Sequence, residues 1–378
     1  MHHTILETAA LVVARANRAR PADSVLRAEL ARQHRQPAEK KASVSRAVFS
    51  YFRWYGWLDR KRSLLKQLAQ AVELDEQFAL APENFSDSDL VSKAVPNWLE
   101  EVMEVTAPLA RALQKKPKLW LRARRGDGPS LAEKLGDCHL PAPERLPETL
   151  EYRGVRDLFR TPEFANGEFE IQDLSSQCVG LLCAPQPGQT WWDACAGEGG
   201  KTLHLADLMN NKGLIWASDR TEWRLQKLRR RAARACMFNY RIAPWKGSAT
   251  LPTKTRFDGV LIDAPCSGIG TWQRNPHARW TTTLEDVEEL AGVQAQLLAH
   301  AAAAIKPGGR LVYAVCTLTR PETSGVVKTF EEKFPEFEPL PLPDPRDLLK
   351  PPGARHWFWP QEEGGNGMFV AMWRRKKQ

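Results

Sequence analysis

Cys266 and Cys316 each stand at the end of a short apolar run. Val260, Leu261 and Ile262 lead into Asp263, Ala264, Pro265, Cys266, Ser267 and Gly268, and Leu311 to Val315 lead directly into Cys316. A helical stretch, Leu284 to Lys306, and a turn at Pro307, Gly308 and Gly309 lie between the two runs. Apolar strands alternating with long helices predict a parallel sheet, and ligands of such sheets sit outside the carboxyl ends of the strands. Both sulfurs are therefore expected in one crevice. A single free cysteine is most often a small buried hydrophobe, whereas two at strand ends point to thiol chemistry. One reaction that needs it is substitution at carbon 5 of a pyrimidine, a poor nucleophile until a thiolate adds at carbon 6. A base must then remove the carbon 5 proton so that the thiolate can leave. A free thiol has a pKa of about 8.5, so such a site must favour the thiolate.

A second set of residues could hold a ligand beside these thiols. Gln189 to Ala194 reads as a strand ending in Asp193, followed by Cys195, Ala196, Gly197, Glu198, Gly199, Gly200 and a helix from Lys201 to Met209. Glycines between a strand and a helix let the backbone approach a ligand at the positive end of the helix dipole. The loop is compatible with a nucleotide, a dinucleotide or a methyl donor, but lacks the GxGxxG spacing of a dehydrogenase. The next strand, Gly213 to Ser218, delivers Asp219, which can accept ribose hydroxyls or cap the helix Thr221 to Ala235.

The elements that must position these residues occupy the second half of a 378-residue chain, long enough for two or three domains. Residues 1–112 read as helical, from the spacing of Leu6, Ala9, Ala10, Val13 and Ala14, of Val25, Leu26 and Leu30, and of Val48, Phe49, Phe52 and Trp57. Pro21 with Asp23 and Ser24, and Gln36 with Pro37, separate these helices. Residues 113–168, with the extended piece Leu119 to Ala123 among glycines and prolines, read as a small mixed α/β module, and residues 169–378 as the α/β domain. A formal charge of +9, from 54 Lys and Arg against 45 Asp and Glu, favours an anionic partner. Arg15, Arg18, Arg20, Arg27, Arg32, Arg35, Lys40 and Lys41 on the N-terminal helices could track phosphates, or could be solvated helix faces. Seven cysteines without a CxxC pair argue against a disulfide framework and a structural zinc site. No apolar run reaches the roughly 18 residues of a membrane span, and the polar start His2, His3, Thr4 is no signal peptide, so a cytoplasmic protein without a membrane partner is expected.

Five segments carry a family resemblance: QDLSSQ (Gln172 to Gln177), DACAGEGGKT (Asp193 to Thr202), DAPCSGIGT (Asp263 to Thr271), RNPHARW (Arg274 to Trp280) and KPGGRLVYAVCT (Lys306 to Thr317). In this order they resemble the motifs of RNA 5-methylcytosine methyltransferases of the RsmB/Nol1/Nop2/Sun family, from about Pro117 to the C-terminus. More loosely, the N-terminal helices resemble the NusB-like RNA-binding domain of the bacterial 16S rRNA member. The resemblance implies a class I, Rossmann-like methyltransferase domain with a mainly parallel sheet, S-adenosylmethionine as donor, and a monomer acting on RNA, above all rRNA. By it Cys316 matches the nucleophile, Cys266 the cysteine that assists product release, and Asp263 the acid that hydrogen-bonds the flipped base. The implied donor pocket takes in Asp193, Ala194, Cys195, Ala196, Gly197, Gly199, Gly200, Lys201, Asp219, Arg220, Arg224, Ser248 and Asp263, and Gly367, Met368 and Phe369 echo the C-terminal strand motif. Four positions depart from the pattern: Ser248 where an acid is usual, Val315 for Thr before the nucleophile and Thr317 for Ser after it, and Thr323 for Asn after Glu322. A catalytically weak, RNA-binding assembly factor of the same fold is the alternative. Amino-group methylation would want an Asn or Asp-Pro-Pro-aromatic cluster where Cys266 stands, and DNA cytosine methyltransferases lack a second thiol on the fifth strand.

Overall fold

The computed structural model describes residues 3–33, 36–124, 126–347 and 349–377, so His2 and Arg35 lie outside the described residues. The chain forms two compact units, one of Met1–Pro117 with Ser267–Asp286 and Trp359–Gly364, the other of Lys118–Cys266, Val287–Phe358 and Gly365–Gln378. Among the described residues no helix is long and apolar enough to cross a membrane.

The first unit is helical, as the periodicity predicts: α1 (His3–Arg15), α2 (Ala22–Arg32), α3 (Ala38–Arg53), α4 (Leu64–Leu80), α5 (Asp87–Lys93), α6 (Leu99–Val102) and α7 (Ala107–Gln114). The buried face of α1 differs from the expected one. It is Ile5, Thr8, Ala9 and Val12, while Leu11 is left exposed. The segment is apolar nearly all round, so its own pattern selects no single face, and packing against α3 and α4 does. Trp54, fully buried, donates its indole N–H to Asp75 Oδ1 at 3.1 Å, and the Arg53 guanidinium donates to the same oxygen at 2.8 Å. Ser267–Asp286 enters this unit through Arg279, whose Nη1 donates to the carbonyls of Ala94 (2.8 Å) and Arg53 (3.4 Å) and Nη2 to those of Leu113 (3.0 Å) and Trp272 (3.3 Å).

In the second unit, β1 (Leu119–Ala123), β2 (Cys138–His139), β3 (Thr149–Tyr152) and β4 (Phe169–Ile171) form an antiparallel sheet in the order β2-β3-β1-β4, with α8 (Gly128–Leu135) and α9 (Pro162–Ala165) beside it. The small module expected at residues 113–168 thus finds its last strand at Phe169–Ile171. After α10 (Leu174–Cys183) come β5 (Thr190–Asp193), α11 (Gly200–Leu208), β6 (Leu214–Ala217), α12 (Glu222–Arg234), β7 (Tyr240–Ile242), β8 (Phe257–Asp263), α13 (Leu284–Ala302) and β9 (Ile305–Val315). The chain ends with α14 (Val326–Lys333), β10 (Phe337–Pro339), β11 (Arg355–Phe358), α15 (Pro360–Glu363), which belongs to the first unit, and β12 (Met368–Arg375). The large sheet runs β10-β12-β9-β8-β5-β6-β7 with β11 on β12; β5 to β9 are parallel, and β12 pairs antiparallel with β9, β10 and β11.

Both faces of this sheet are covered, which is why its strands are apolar at consecutive positions. Trp191, Leu261, Val312 and Val370 pack on one side, and Trp192, Val260, Leu311 and Phe369 on the other. A Cβ on Gly259 would lie 2.3 Å from the Trp191 ring, so only glycine fits there. The two sheets are tied by a buried ion cluster: Arg122 Nη1 reaches Asp207 Oδ2 on α11 at 2.8 Å, and the Arg124 guanidinium pairs with the same carboxylate. The turn expected at Pro307 to Gly309 is instead inside β9, and α13 stops at Ala302. The chain re-pairs with β8 at Ile305 before the glycines, and Gly308, at φ 80°, lies in the irregularity opposite Phe257 and Gly259.

Candidate active site

Strand order reverses between β5 and β8, because the chain proceeds outward through β6 and β7 and returns to the other side of β5. The carboxyl ends of strands flanking such a switch point leave a crevice. Here it is a cavity of about 600 Å³ lined by Asp193, Ala194, Cys195, Ala196, Gly197, Gly200, Lys201, Asp219, Arg220, Arg224, Asp263, Cys266 and Cys316. The site residues read from the sequence therefore converge, with two exceptions. Gly199, at φ 89°, faces α12, where a Cβ would lie 2.6 Å from Leu228 Cγ; its role is close packing of helix on helix. Ser248 turns its hydroxyl to the Thr250 carbonyl and only restrains Trp245, whose indole N–H donates to the Ser248 carbonyl at 3.0 Å. The apolar wall of Trp245, Leu290, Val293 and Leu297 was not read from the sequence. Only the tryptophan shortly after β7 could have signalled it.

The glycine loop is held by the next strand. Gly197 N–H donates to Asp219 Oδ2 at 3.0 Å and Thr221 N–H to Oδ1 at 2.7 Å, so Asp219 is both a turn residue and a pocket residue. Each oxygen keeps a lone pair for a hydroxyl. Asp193 accepts from Thr202 Oγ1 at 2.6 Å through Oδ2, while its buried Oδ1 has no hydrogen-bond partner among the described residues. Burial, opposed by the Thr202 hydrogen bond and compounded by Asp263, pushes Asp193 up to about 7.

Cys266 and Cys316 come together with Sγ atoms 3.2 Å apart, and Lys201 Nζ holds Asp263 Oδ2 at 2.7 Å. The hydrogen bond from the Cys266 thiol lowers the Cys316 pKa, and the Lys201 ammonium also lowers it, against burial and Asp263. The same bond, with burial, pushes Cys266 well up. Lys201 is among the groups that lower Cys316, so Cys316 is the thiol that the site favours as thiolate. Burial instead raises the thiols of Cys178, Cys183 and Cys195, which leaves them inert. All seven cysteines are free.

Glu322, fully buried, braces the two thiol loops. Its Oε2 accepts the hydroxyls of Thr317 (3.0 Å) and Thr319 (2.9 Å), and its Oε1 accepts the Gln294 amide at 3.0 Å, which also donates to the Pro265 carbonyl at 2.9 Å. Thr317 thus supplies a hydroxyl where the family pattern has serine, and Thr323 Oγ1 donates within its own turn to the Thr319 carbonyl at 2.6 Å.

A mainly parallel, doubly covered sheet whose switch-point crevice joins a glycine loop to three strand-end carboxylates defines the Rossmann-like methyltransferase class of fold. The profile of the 16S rRNA methyltransferase RsmB/F family matches residues 180–374, and the chain belongs to that family. It is 35% identical over 262 residues to the probable ribosomal RNA small subunit methyltransferase B of Synechocystis, covering 65% of this chain and 58% of that protein. It is 30% identical over 334 residues to ribosomal RNA small subunit methyltransferase B of Salmonella paratyphi B, covering 84% of this chain and 75% of that protein. The chain thus spans less than two thirds of the Synechocystis relative's length. Among solved structures, PH0851 shares its fold with a TM-score of 0.77 at 22% identity over 98% of this chain and 97% of that one. A methyltransferase homologue from Pyrococcus horikoshii has a TM-score of 0.58 at 28% identity, over 71% of this chain and 90% of that one.

Proposed function

We propose that this chain transfers a methyl group from S-adenosylmethionine to carbon 5 of a cytosine in RNA, in particular ribosomal RNA of the small subunit. The observation that carries the reading is the pair of thiols at 3.2 Å beside the Lys201–Asp263 pair, at the mouth of a donor-sized crevice. The residues fit the donor: Asp193 Oδ1 is a buried acceptor in want of a cationic hydrogen-bond donor, Asp219 presents lone pairs for ribose hydroxyls, and Trp245 and Leu297 offer an apolar face for a base. Bound there, S-adenosylmethionine supplies the methyl group. The protein's own part is to keep Cys316 anionic, to hold the cytosine against it through Asp263, and to keep water out. Thr317 keeps a hydroxyl on Glu322, and Thr323 keeps its own within the turn that carries Glu322, which supports an active enzyme over a quiet assembly factor. Bisulfite sequencing of total RNA from cells with and without the gene tests the reading. A cytosine in small-subunit rRNA that loses protection on deletion is expected; an unchanged pattern rejects it.

Donor affinity should depend on pH through Asp193. With its pKa raised to about 7 in the free protein, the anion that would accept the donor's ammonium is depleted as pH falls below that value. Affinity then drops by up to about tenfold per unit between pH 7 and pH 5.5, and Asp193→Asn, weaker throughout, loses the dependence. Calorimetry across that range checks this; a flat profile for the unaltered protein removes Asp193 from donor binding.

A further inference from the structure

One face of α12 sets an exposed aromatic among cations, of which the donor crevice takes in only Arg224 and Arg231. The helix carries Arg224, Lys227, Arg229, Arg230, Arg231 and Arg234 against a single acid, Glu222. Trp223, Lys227, Arg230 or Arg231, and Arg234 recur at helical spacing along one stripe. Trp223 is 52% exposed at the first turn, an unusual place for the largest apolar side chain, and Lys227 Nζ lies 4.8 Å from its ring centroid. The stripe begins at the glycine loop, where Lys227 Nζ reaches Glu198 Oε1 at 2.7 Å and Arg231 Nη1 the Glu198 carbonyl at 3.1 Å. It ends on the small sheet, where the Arg234 guanidinium lies 3.7 Å from the Phe164 ring centroid, and Phe164 packs edge-on against Phe159, itself 66% exposed.

Two of the acids along this path are already neutralised: Glu170 is buried between Arg231 and Arg234, and Glu198 pairs with Lys227, while Glu222 stands exposed at the helix start. Arg230 on the stripe, and Arg224 where the stripe meets the donor crevice, make no ion pair among the described residues. A partner for this face must therefore carry repeated negative charge and flat apolar groups between the charges. A protein's acidic surface offers the charge without the flat groups. A base-paired duplex hides its base faces. Single-stranded nucleic acid offers both, its bases stacking on aromatic rings and its phosphates on cations. We infer that the α12 face from Trp223 to Phe159 is a track for single-stranded RNA leading to the donor crevice. This rests on the reading of the chain as an RNA methyltransferase.

The test is fluorescence anisotropy of the full chain with a fluorescein-labelled single-stranded oligouridylate and, as control, the same length of duplex RNA, alongside methylation of small-subunit rRNA. Trp223 is exposed, so its replacement leaves the core intact, and a melting curve verifies that. Trp223→Ala should weaken single-strand binding about tenfold and duplex binding little, whereas Trp223→Phe should keep most of the affinity. Phe159→Ala should show a smaller loss of the same kind. Arg230→Gln should instead flatten the salt dependence by about 0.7 in the log–log slope, without changing the preference for single strands. Unchanged single-strand affinity in Trp223→Ala, or equal losses for single strand and duplex, overturns the track while leaving the proposed function standing if the unaltered protein still methylates rRNA. Failure of the unaltered protein to bind or methylate RNA overturns both.

Discussion

Replacing Cys316 with alanine is expected to abolish methylation and to leave no protein–RNA adduct, whereas replacing Cys266 with alanine should leave the protein trapped on its RNA. The difference follows from the opposite pKa shifts of the two thiols. In the proposed reaction Cys316 is the nucleophile, its pKa lowered by the Cys266 thiol and by Lys201; without it, carbon 6 would receive no nucleophile and carbon 5 would not be activated. Cys266 is held protonated by that same neighbour, the hydrogen bond to Cys316 being the first cause of its raised pKa. Once Cys316 is bonded to carbon 6, its sulfur is a neutral thioether, and the charge that held the Cys266 proton is gone. Cys266 then ionises more readily, at the stage when a base is needed to take the carbon 5 proton. In the proposed reaction the two thiols would act in sequence, because the first bond would release the second group. Cys266→Ala should slow resolution without preventing addition, so a band surviving heat and detergent accumulates on denaturing gels with labelled RNA. Adduct from Cys316→Ala and none from Cys266→Ala would exchange the roles. Full methylation by Cys316→Ala would end the covalent mechanism.

Much of this site was legible in the sequence because its parts are local. An apolar run ending in Asp193, Asp219, Asp263 or Cys316 marks a strand end, and a parallel sheet brings strand ends to one edge. The parts that were not legible depend on side chains meeting across the fold. Gln294 and Glu322 sit 28 residues apart on different elements, and nothing in the helical pattern of α13 marks Gln294 as a brace between the thiol loops. Gly199 sits in a glycine motif like Gly197, yet one faces Leu228 and the other the pocket, a distinction set by the approach of α12. Ser248 stood in the expected register, but the chain after β7 turns it to its own loop and presents Trp245 instead. The buried stripe of α1 was displaced for the same reason, an apolar segment whose neighbours choose the face.

Arg279→Met should destabilise the first unit by about 3–5 kcal/mol, the cost of removing a buried charge on which four carbonyls depend. The guanidinium has no solvent exposure and, among the described residues, no carboxylate partner. Burial, with Arg53 adding to it, pushes its pKa down to about 9, so it stays charged at neutral pH. What offsets this is the position of its acceptors. Arg53 is the last residue of α3, Ala94 caps α5, and Leu113 lies in the last turn of α7. Carbonyls at helix C-termini have no partner within the helix and stand at the negative end of its dipole. Three such ends converge on one cation, and the Trp272 carbonyl is a fourth acceptor, while Nε has no partner among the described residues. Methionine would fill much of the volume and leave these carbonyls dry. Arg279→Lys should rescue little, because one ammonium has no planar fork to serve separate acceptors. Hydrogen exchange followed by mass spectrometry localises the effect: protection should fall in the last turns of α3, α5 and α7 together, while β5 and β8 keep theirs. A loss below about 1 kcal/mol in urea titrations, or uniform deprotection of both units, would show that Arg279 is no common cap.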